Sequence, residues 1–354
     1  MKGQAEGIVY STKPLSYQGQ LIENFWMRFE GGKAVEVGAE KGAELLQQMV
    51  TMDEGAGYLG ECALVPQTSP VNRTDLLFYN TLFDENAVCH LALGRGFNDT
   101  IRDLLRGSTF DATAPGFVTG DHSSRDLLEA CFMGAPYWAE HPGQSINYVS
   151  CHDNHTLFDR IALSVPDALA EELAKRNNLA AAFSILSLGI PFFQAGEEML
   201  RTKPSKKDRF DHNSYRSPDR VNSLKWDTLD QELYRKTVAY YKGLIAFRKA
   251  HPSLRIATRE EASRKVHPIR YPNPHVTAFR VEEDKEELLL VFNADTRTVH
   301  VPLPAGKWNI TILDDVAGTT VLADAEHQVD VPALSTMALI QKKPIDVVAA
   351  LIWE

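Results

Sequence analysis

The chain has 354 residues, 44% hydrophobic and 24% charged, a globular composition that excludes disorder and collagen-like repeats and leaves room for two or three domains. Its 37 Lys and Arg against 47 Asp and Glu give a net charge of -10, with no basic run to concentrate a positive field, so nucleic acid is not expected as a partner. No apolar stretch is long enough to span a bilayer, and Met1 to Tyr10 has neither the apolar core nor the cleavage site of a signal peptide, so no membrane association and a cytoplasmic location are expected.

In chain order, "IENFWMRFEGGKAVEV" places Phe25, Met27 and Phe29 on one strand face, turns at Gly31-Gly32 and returns through Val35 and Val37, a hairpin. "AEKGAELLQQMV" puts Leu45, Leu46, Met49 and Val50 on one helical stripe that Gly55 ends. "ECALVP" reads as a short buried strand and "NAVCHLALG" as a short helix stopped by Gly94. From residue 97 to about 250 the pattern alternates: "NDTIRDLLRG" is a capped helix, "INYVSCHD" a strand ending in polar residues, "LAEELAKRNNLAAAFSILSLG" a long helix and "IPFFQAGEE" a second such strand. Tyr234, Val238, Tyr241 and Ile245 mark a further amphipathic helix, which ends at His251-Pro252. Strands that end in polar clusters and alternate with helices indicate a parallel α/β sheet or barrel. Beyond residue 255, "VTAFRV", "ELLLVF", "VHVPL", "WNITIL", "HQVDV" and "TMALIQ" are short strands between Asp, Gly and Pro turns, an antiparallel sandwich. For the tail "PIDVVAALIWE" docking and fraying are equally open. The cysteines Cys62, Cys89, Cys131 and Cys151 include no C-x-x-C pair, so neither a disulfide framework nor a cysteine-based zinc site is encoded, and reduced core thiols are expected.

"INYVSCHDNHTLFD" carries His152, Asp153 and His155 directly after a β-rich run. At the C-terminal end of a barrel strand such side chains project into the site; otherwise they merely cap a turn. Four strings, "FNDTIRD" with the following "RG", "INYVSCHDNHTLFDRI", "GIPFFQAGEEMLRTK" and "HNSYRSPDRVNSLKW", together resemble type I pullulanase, of the α-amylase superfamily (glycoside hydrolase family 13), from about Phe97 to about Lys343. The resemblance implies that "INYVSCHD" and "IPFFQAGEE" are the seventh and eighth strands of a TIM barrel. Asp153 then matches the carboxylate that stabilises the oxocarbenium-like transition state, and His152 the neighbouring sugar-binding histidine. Asn213, Tyr215, Asp219 and Asn222 match the loop that contacts glucose units beside the branch point. An α-glucan such as pullulan, amylopectin or glycogen is the implied partner, and no cofactor is required. Glu197 and Glu198 are read as making structural ion pairs or hydrogen bonds, and Trp226 as packing under its loop.

A retaining glycosidase needs a carboxylate nucleophile and a separate carboxylic acid. The family draws them from earlier barrel strands, and neither motif occurs here; "GFVTGD" at Gly116 to Asp121 lacks the Arg-x-Asp. Phe97 to Asp153 leaves space for roughly one or two strand-helix units where six should precede strand seven. The chain alone is therefore expected not to hydrolyse pullulan, and exposed barrel edges are expected to promote self-association.

"YSTKPLSYQGQLIENF", "DEGAGYLGECALVP" and "LFYNTLFDENAVCHLALG" resemble instead the M29 metalloaminopeptidases of the aminopeptidase T type, over about 7–97. This implies Glu61 and His90 as two ligands of a two-metal site, so a divalent metal is the cofactor implied for this segment. The first glutamate ligand and the later His-x-Asp pair of that family have no counterpart, and its catalytic tyrosine is Phe97 here, so the site is incomplete. The resulting fold class is α/β plus all-β, a mixed α/β segment (1–96), a partial (β/α) barrel (97–254) and an antiparallel β-sandwich (255–354), joined as a chimera near Gly94 to Asn98. The function expected is that of a glycoside hydrolase-like chain of the α-1,6-glucan debranching type; the alternatives are a metal-dependent aminopeptidase fragment and a non-catalytic α-glucan-binding protein.

Overall fold

The computed structural model describes residues 5–52, 55–94 and 96–343; the tail "PIDVVAALIWE" lies outside them. The chain divides into two compact units, Met1–Phe97 with Tyr137–Ile146, and Asn98–Pro136 with Asn147–Glu354. Among the described residues no helix is long and apolar enough to cross a membrane.

In the first unit, strands Gly7–Tyr10, Trp26–Glu30 and Lys33–Gly38 form an antiparallel sheet in that order. The turn between the last two uses Gly31 and Gly32 at φ of 58° and 82°, the left-handed pair that a tight hairpin with the right strand twist requires. The helix Ala43–Thr51 buries Leu46 and Val50, with Leu45 and Met49 half-buried, which is the expected stripe. Its Val50 packs with Phe29, Ala34 and Leu59. Two expectations need correction. His90–Leu93 is a strand, not the helix read from "NAVCHLALG"; it pairs antiparallel with Leu59–Ala63. A short apolar run fits either period, and the partner strand decides. Leu59–Ala63 is also largely exposed rather than buried, with Glu61 and Cys62 open to solvent.

In the second unit the helix Ala170–Leu186 is buried almost continuously from Leu173 onward, as befits a helix enclosed on every side. Around it lie Asp99–Arg106, Arg125–Phe132, Leu157–Ser164 and Glu232–Ala250. In the last of these the buried stripe is Thr237, Tyr240, Tyr241, Leu244, Phe247 and Arg248; of the four residues expected to mark it, only Tyr241 is fully buried. A six-stranded antiparallel sheet runs in the order Val266–Ile269, Val276–Glu282, Glu286–Asn293, Ser335–Lys342, Trp308–Ile312, Ala323–Ala325.

That sheet alternates as a strand must. Leu288, Leu290 and Phe292 join the helical core, where Phe132 stacks on Phe279 at 3.6 Å between centroids. Leu289 and Val291 face the opposite way, with Trp308, Met337 and Leu339. On that side they meet Val301 and Val331 of a two-stranded ribbon, Val299–Pro302 with Gln328–Val331. All six strands expected in this region are present. The two strands expected to end in polar clusters are shorter than read: the ladder covers only Ser145–Asn147 and Ile190–Pro191. No closed barrel forms among the described residues. All four cysteines are free, but only Cys131 is a core thiol; Cys62 and Cys89 are exposed.

Candidate functional site

The polar turn after Ser145–Asn147 belongs to the second unit and is anchored at both ends. Before it, the Tyr148 hydroxyl donates to Asp99 and accepts from Arg102 Nη1 at 2.6 Å. Ser150 Oγ donates to Glu197, whose other carboxyl oxygen accepts from the Tyr241 hydroxyl at 3.0 Å; Asn177 in turn donates to that hydroxyl at 3.1 Å. After the turn, Arg106 donates to the His155 carbonyl at 2.9 Å, and the Thr156 hydroxyl caps the helix Leu157–Ser164 by accepting from the Asp159 N–H at 3.2 Å. Between these anchors Asn154 adopts a left-handed φ of 62°, and the chain bends so that His152 and Asp153 leave the surface together.

His152 and Asp153 are exposed, with Nε2 and Oδ2 3.4 Å apart. The buried Lys203 donates to the His152 carbonyl at 3.4 Å; burial pushes its ammonium below the ordinary lysine range. His155 is held neutral: burial, helped by His212 and the Arg106, Arg160 and Lys203 charges, lowers it to about 4. Its ring lies 5.6 Å from that of His212, centroid to centroid, so the loop that follows starts beside the turn.

In that loop Asn213, Tyr215 and Asp219 are exposed, Tyr215 by 72%. Asn222 is half-buried and knits the loop, its amide donating to the Ser214 carbonyl at 2.7 Å and the Ser217 carbonyl at 3.0 Å. Trp226 is 65% exposed, so the expectation that it packs beneath the loop is not met. Glu198 accepts from the Gly196 N–H at 2.9 Å. Glu197 and Glu198 thus make structural hydrogen bonds, as read from the sequence; what the sequence does not name are the partners of Glu197, since Ser150, Tyr241 and the Asn177 behind it lie far apart in the chain.

In the first unit, antiparallel pairing of Leu59–Ala63 with His90–Leu93 brings Glu61 Oε1 to 3.6 Å from His90 Nε2. His90 Nδ1 lies 2.7 Å from the Glu85 carbonyl oxygen, which can only accept, so in the neutral ring Nε2 presents its lone pair on the Glu61 side. A catalytic zinc takes about three protein ligands; no third His, Cys, Asp or Glu donor joins these two among the described residues. The described residues do not complete a di-metal centre.

Residues 1–117 match the thermophilic metalloprotease (M29) family, a match that runs past the expected junction near Gly94 to Asn98. Aminopeptidase T of Thermus aquaticus is 50% identical over 107 residues, 30% of this chain and 26% of that protein. The pullulanase of Bacillus subtilis (strain 168) is 33% identical over 219 residues, 59% of this chain and 29% of that protein. The chain thus spans less than a third of either relative. Among solved structures, the pullulanase from Bacillus acidopullulyticus superposes with a TM-score of 0.66 at 34% identity, covering 70% of this chain and 30% of that one. The pullulanase type I from Bacillus subtilis str. 168 complexed with maltose gives a TM-score of 0.65 at 28% identity, covering 70% and 35%. The chain is a composite, similar to M29 metalloproteases at its amino end and to pullulanases over the larger share of its length.

Proposed function

We propose that this chain is a glycoside hydrolase-like protein of the α-1,6-glucan debranching type that binds α-glucan through His152 and Asp153 and does not by itself hydrolyse pullulan. In this reading Ser145–Asn147 and Ile190–Pro191 are remnants of the last two strands of an amylase-type barrel. The observation that carries it is the exposed imidazole–carboxylate pair, 3.4 Å apart, on a turn braced by buried hydrogen bonds in a unit that resembles pullulanases, one of them solved with maltose. A carboxylate and a ring nitrogen side by side can grip two neighbouring sugar hydroxyls, and Asp153 has the charge to stabilise an oxocarbenium-like centre. Asn213, Tyr215 and Asp219 extend the surface, Tyr215 offering a ring for stacking. Hydrolysis needs a nucleophile and an acid as well, and the sequence supplies neither motif.

The test is retention on immobilised α-glucan together with an assay for reducing ends. Retention without sugar release is expected. His152→Ala and Asp153→Asn should each weaken it by roughly 10- to 100-fold, the value of one hydrogen bond to a charged or strongly polar group. Unretained wild-type chain sinks the reading, and release of maltotriose from pullulan sinks its inactive half. A second reading, a metal-dependent aminopeptidase, is favoured by the approach of Glu61 and His90 alone. With two donors the pair should hold no stoichiometric metal; metal content after purification, compared between the wild-type chain and Glu61→Gln, decides it, and a loss in the variant would favour the aminopeptidase reading.

A further inference from the structure

Cys151, His152 and Asp153 each offer one ligand atom, and the thiol sulfur, a ring nitrogen and a carboxylate oxygen all lie within 4.8 Å of one another. Consecutive side chains of an extended strand point to opposite faces, so three in a row converge only where the backbone bends. Here it bends over His152–Asn154, with Asn154 left-handed. We propose that these three residues form a binding site for a thiophilic divalent cation of the Zn2+ class.

The donor chemistry and the spacing both fit. A sulfur, nitrogen and oxygen set with an open fourth position is one that tetrahedral zinc accepts. Two ligands about 2.0–2.1 Å from such an ion stand about 3.4 Å apart, which is the His152 Nε2 to Asp153 Oδ2 distance. Among the described residues the Cys151 thiol donates a long 3.9 Å contact to the Asp153 carbonyl, which metal binding would replace. His152 and Asp153 are exposed, which gives the ion and its completing water access from solvent. Binding takes the thiolate and sends the thiol proton to solvent. Lys203, which donates to the His152 carbonyl, opposes the cation and moderates its affinity. The other three-donor group among the described residues, His251 with Glu283 and Glu286, differs: His251 is buried and bonded to Glu283 at 3.0 Å, and Glu283 also takes the Ser253 N–H at 3.1 Å, so two of its three donors are already used within the protein.

Because two of the ligands are the groups assigned to sugar, metal and glucan should exclude each other; that consequence rests on the glucan-binding reading, whereas the metal site does not. Co2+ titrated into the full chain under a non-thiol reductant reads the site directly. One equivalent is expected to give a thiolate-to-cobalt charge-transfer band that Zn2+ abolishes. Cys151→Ser should remove the band, and His152→Ala should weaken binding by more than the roughly 10- to 100-fold that loss of an outer-shell partner costs. Cys62→Ser, Cys89→Ser and Glu61→Gln should leave it intact. A band that survives Cys151→Ser, or none at stoichiometric Co2+, overturns the site. Glucan retention that falls under saturating Zn2+ supports exclusion, and unchanged retention overturns it. A chain never retained on glucan removes the glucan reading alone, since the cobalt result is independent of it.

Discussion

Glu197 lies in the core, 3% exposed, with one carboxyl oxygen accepting from Ser150 and the other from Tyr241. Burial pushes it up to about 7 from an ordinary 4.5; the two hydroxyl donors pull the other way, and the Glu198 charge adds a smaller push upward. When it takes a proton, one of its two oxygens becomes a donor and the hydroxyl facing it must turn to accept. Because the folded value is the higher one, the folded chain keeps this proton between pH 4.5 and about 7 while the unfolded chain has lost it. Glu197's contribution to stability therefore falls as pH rises through that window and levels off above it. At about 1.4 kcal/mol per tenfold difference in proton affinity, the full change is roughly 3 kcal/mol. Glu197→Gln, neutral at every pH, should be close to wild type at pH 5 and more stable than wild type by up to that amount at pH 8. Urea denaturation of both proteins at the two pH values measures the gap, and a gap independent of pH contradicts the account.

Among the elements, the helix Glu232–Ala250 offers a substitution whose sign two effects contest. A glycine inside a helix costs about 1 kcal/mol relative to alanine, so propensity alone favours Gly243→Ala. A Cβ there would lie 1.9 Å from the Ala317 carbonyl oxygen, a backbone atom that cannot rotate away. Overpacking of this kind costs roughly 1–3 kcal/mol and should win, so a lower thermal midpoint is expected; a raised one would show that the 313–318 turn yields freely. The strands Val276–Glu282, Glu286–Asn293 and Ser335–Lys342 were legible in sequence because each carries enough β-branched and apolar residues to be buried on both faces. His90–Leu93 was not, since four apolar-leaning residues fit both periods and only pairing with Leu59–Ala63 makes them a strand. The same lesson shortens "INYVSCHD" and "IPFFQAGEE": β-propensity marks where a ladder could run, while the neighbouring backbone fixes how far it does. The closeness of His152 to Asp153 follows from their adjacency in the chain, whereas the approach of Glu61 to His90 follows only from strand register.

On the scale of the whole chain, self-association through barrel-derived edges would have to use Ile190–Pro191, which is two residues long. An edge that short is a poor template for pairing. Gly7–Tyr10 is longer, flanks its sheet and is exposed at every position, so concentration-dependent association in sedimentation should be relieved by Val9→Lys at that edge. Folding stability is partitioned unevenly as well. The first unit gathers its cluster around four buried residues, Phe29, Ala34, Val50 and Leu59. The second holds the continuous cluster from Ile101 to Ala338 and a further one behind the sheet. Cores that share no residues are not obliged to melt together, and the smaller one buries less apolar surface to offset its chain entropy. Two calorimetric transitions are therefore expected, the first unit melting at the lower temperature. Below it, hydrogen exchange should reach the amides of the hairpin Trp26–Gly38 while those of Val276–Asn293 remain protected. One transition, with both regions exchanging at the same rate, would show instead that the composite folds as a single cooperative body.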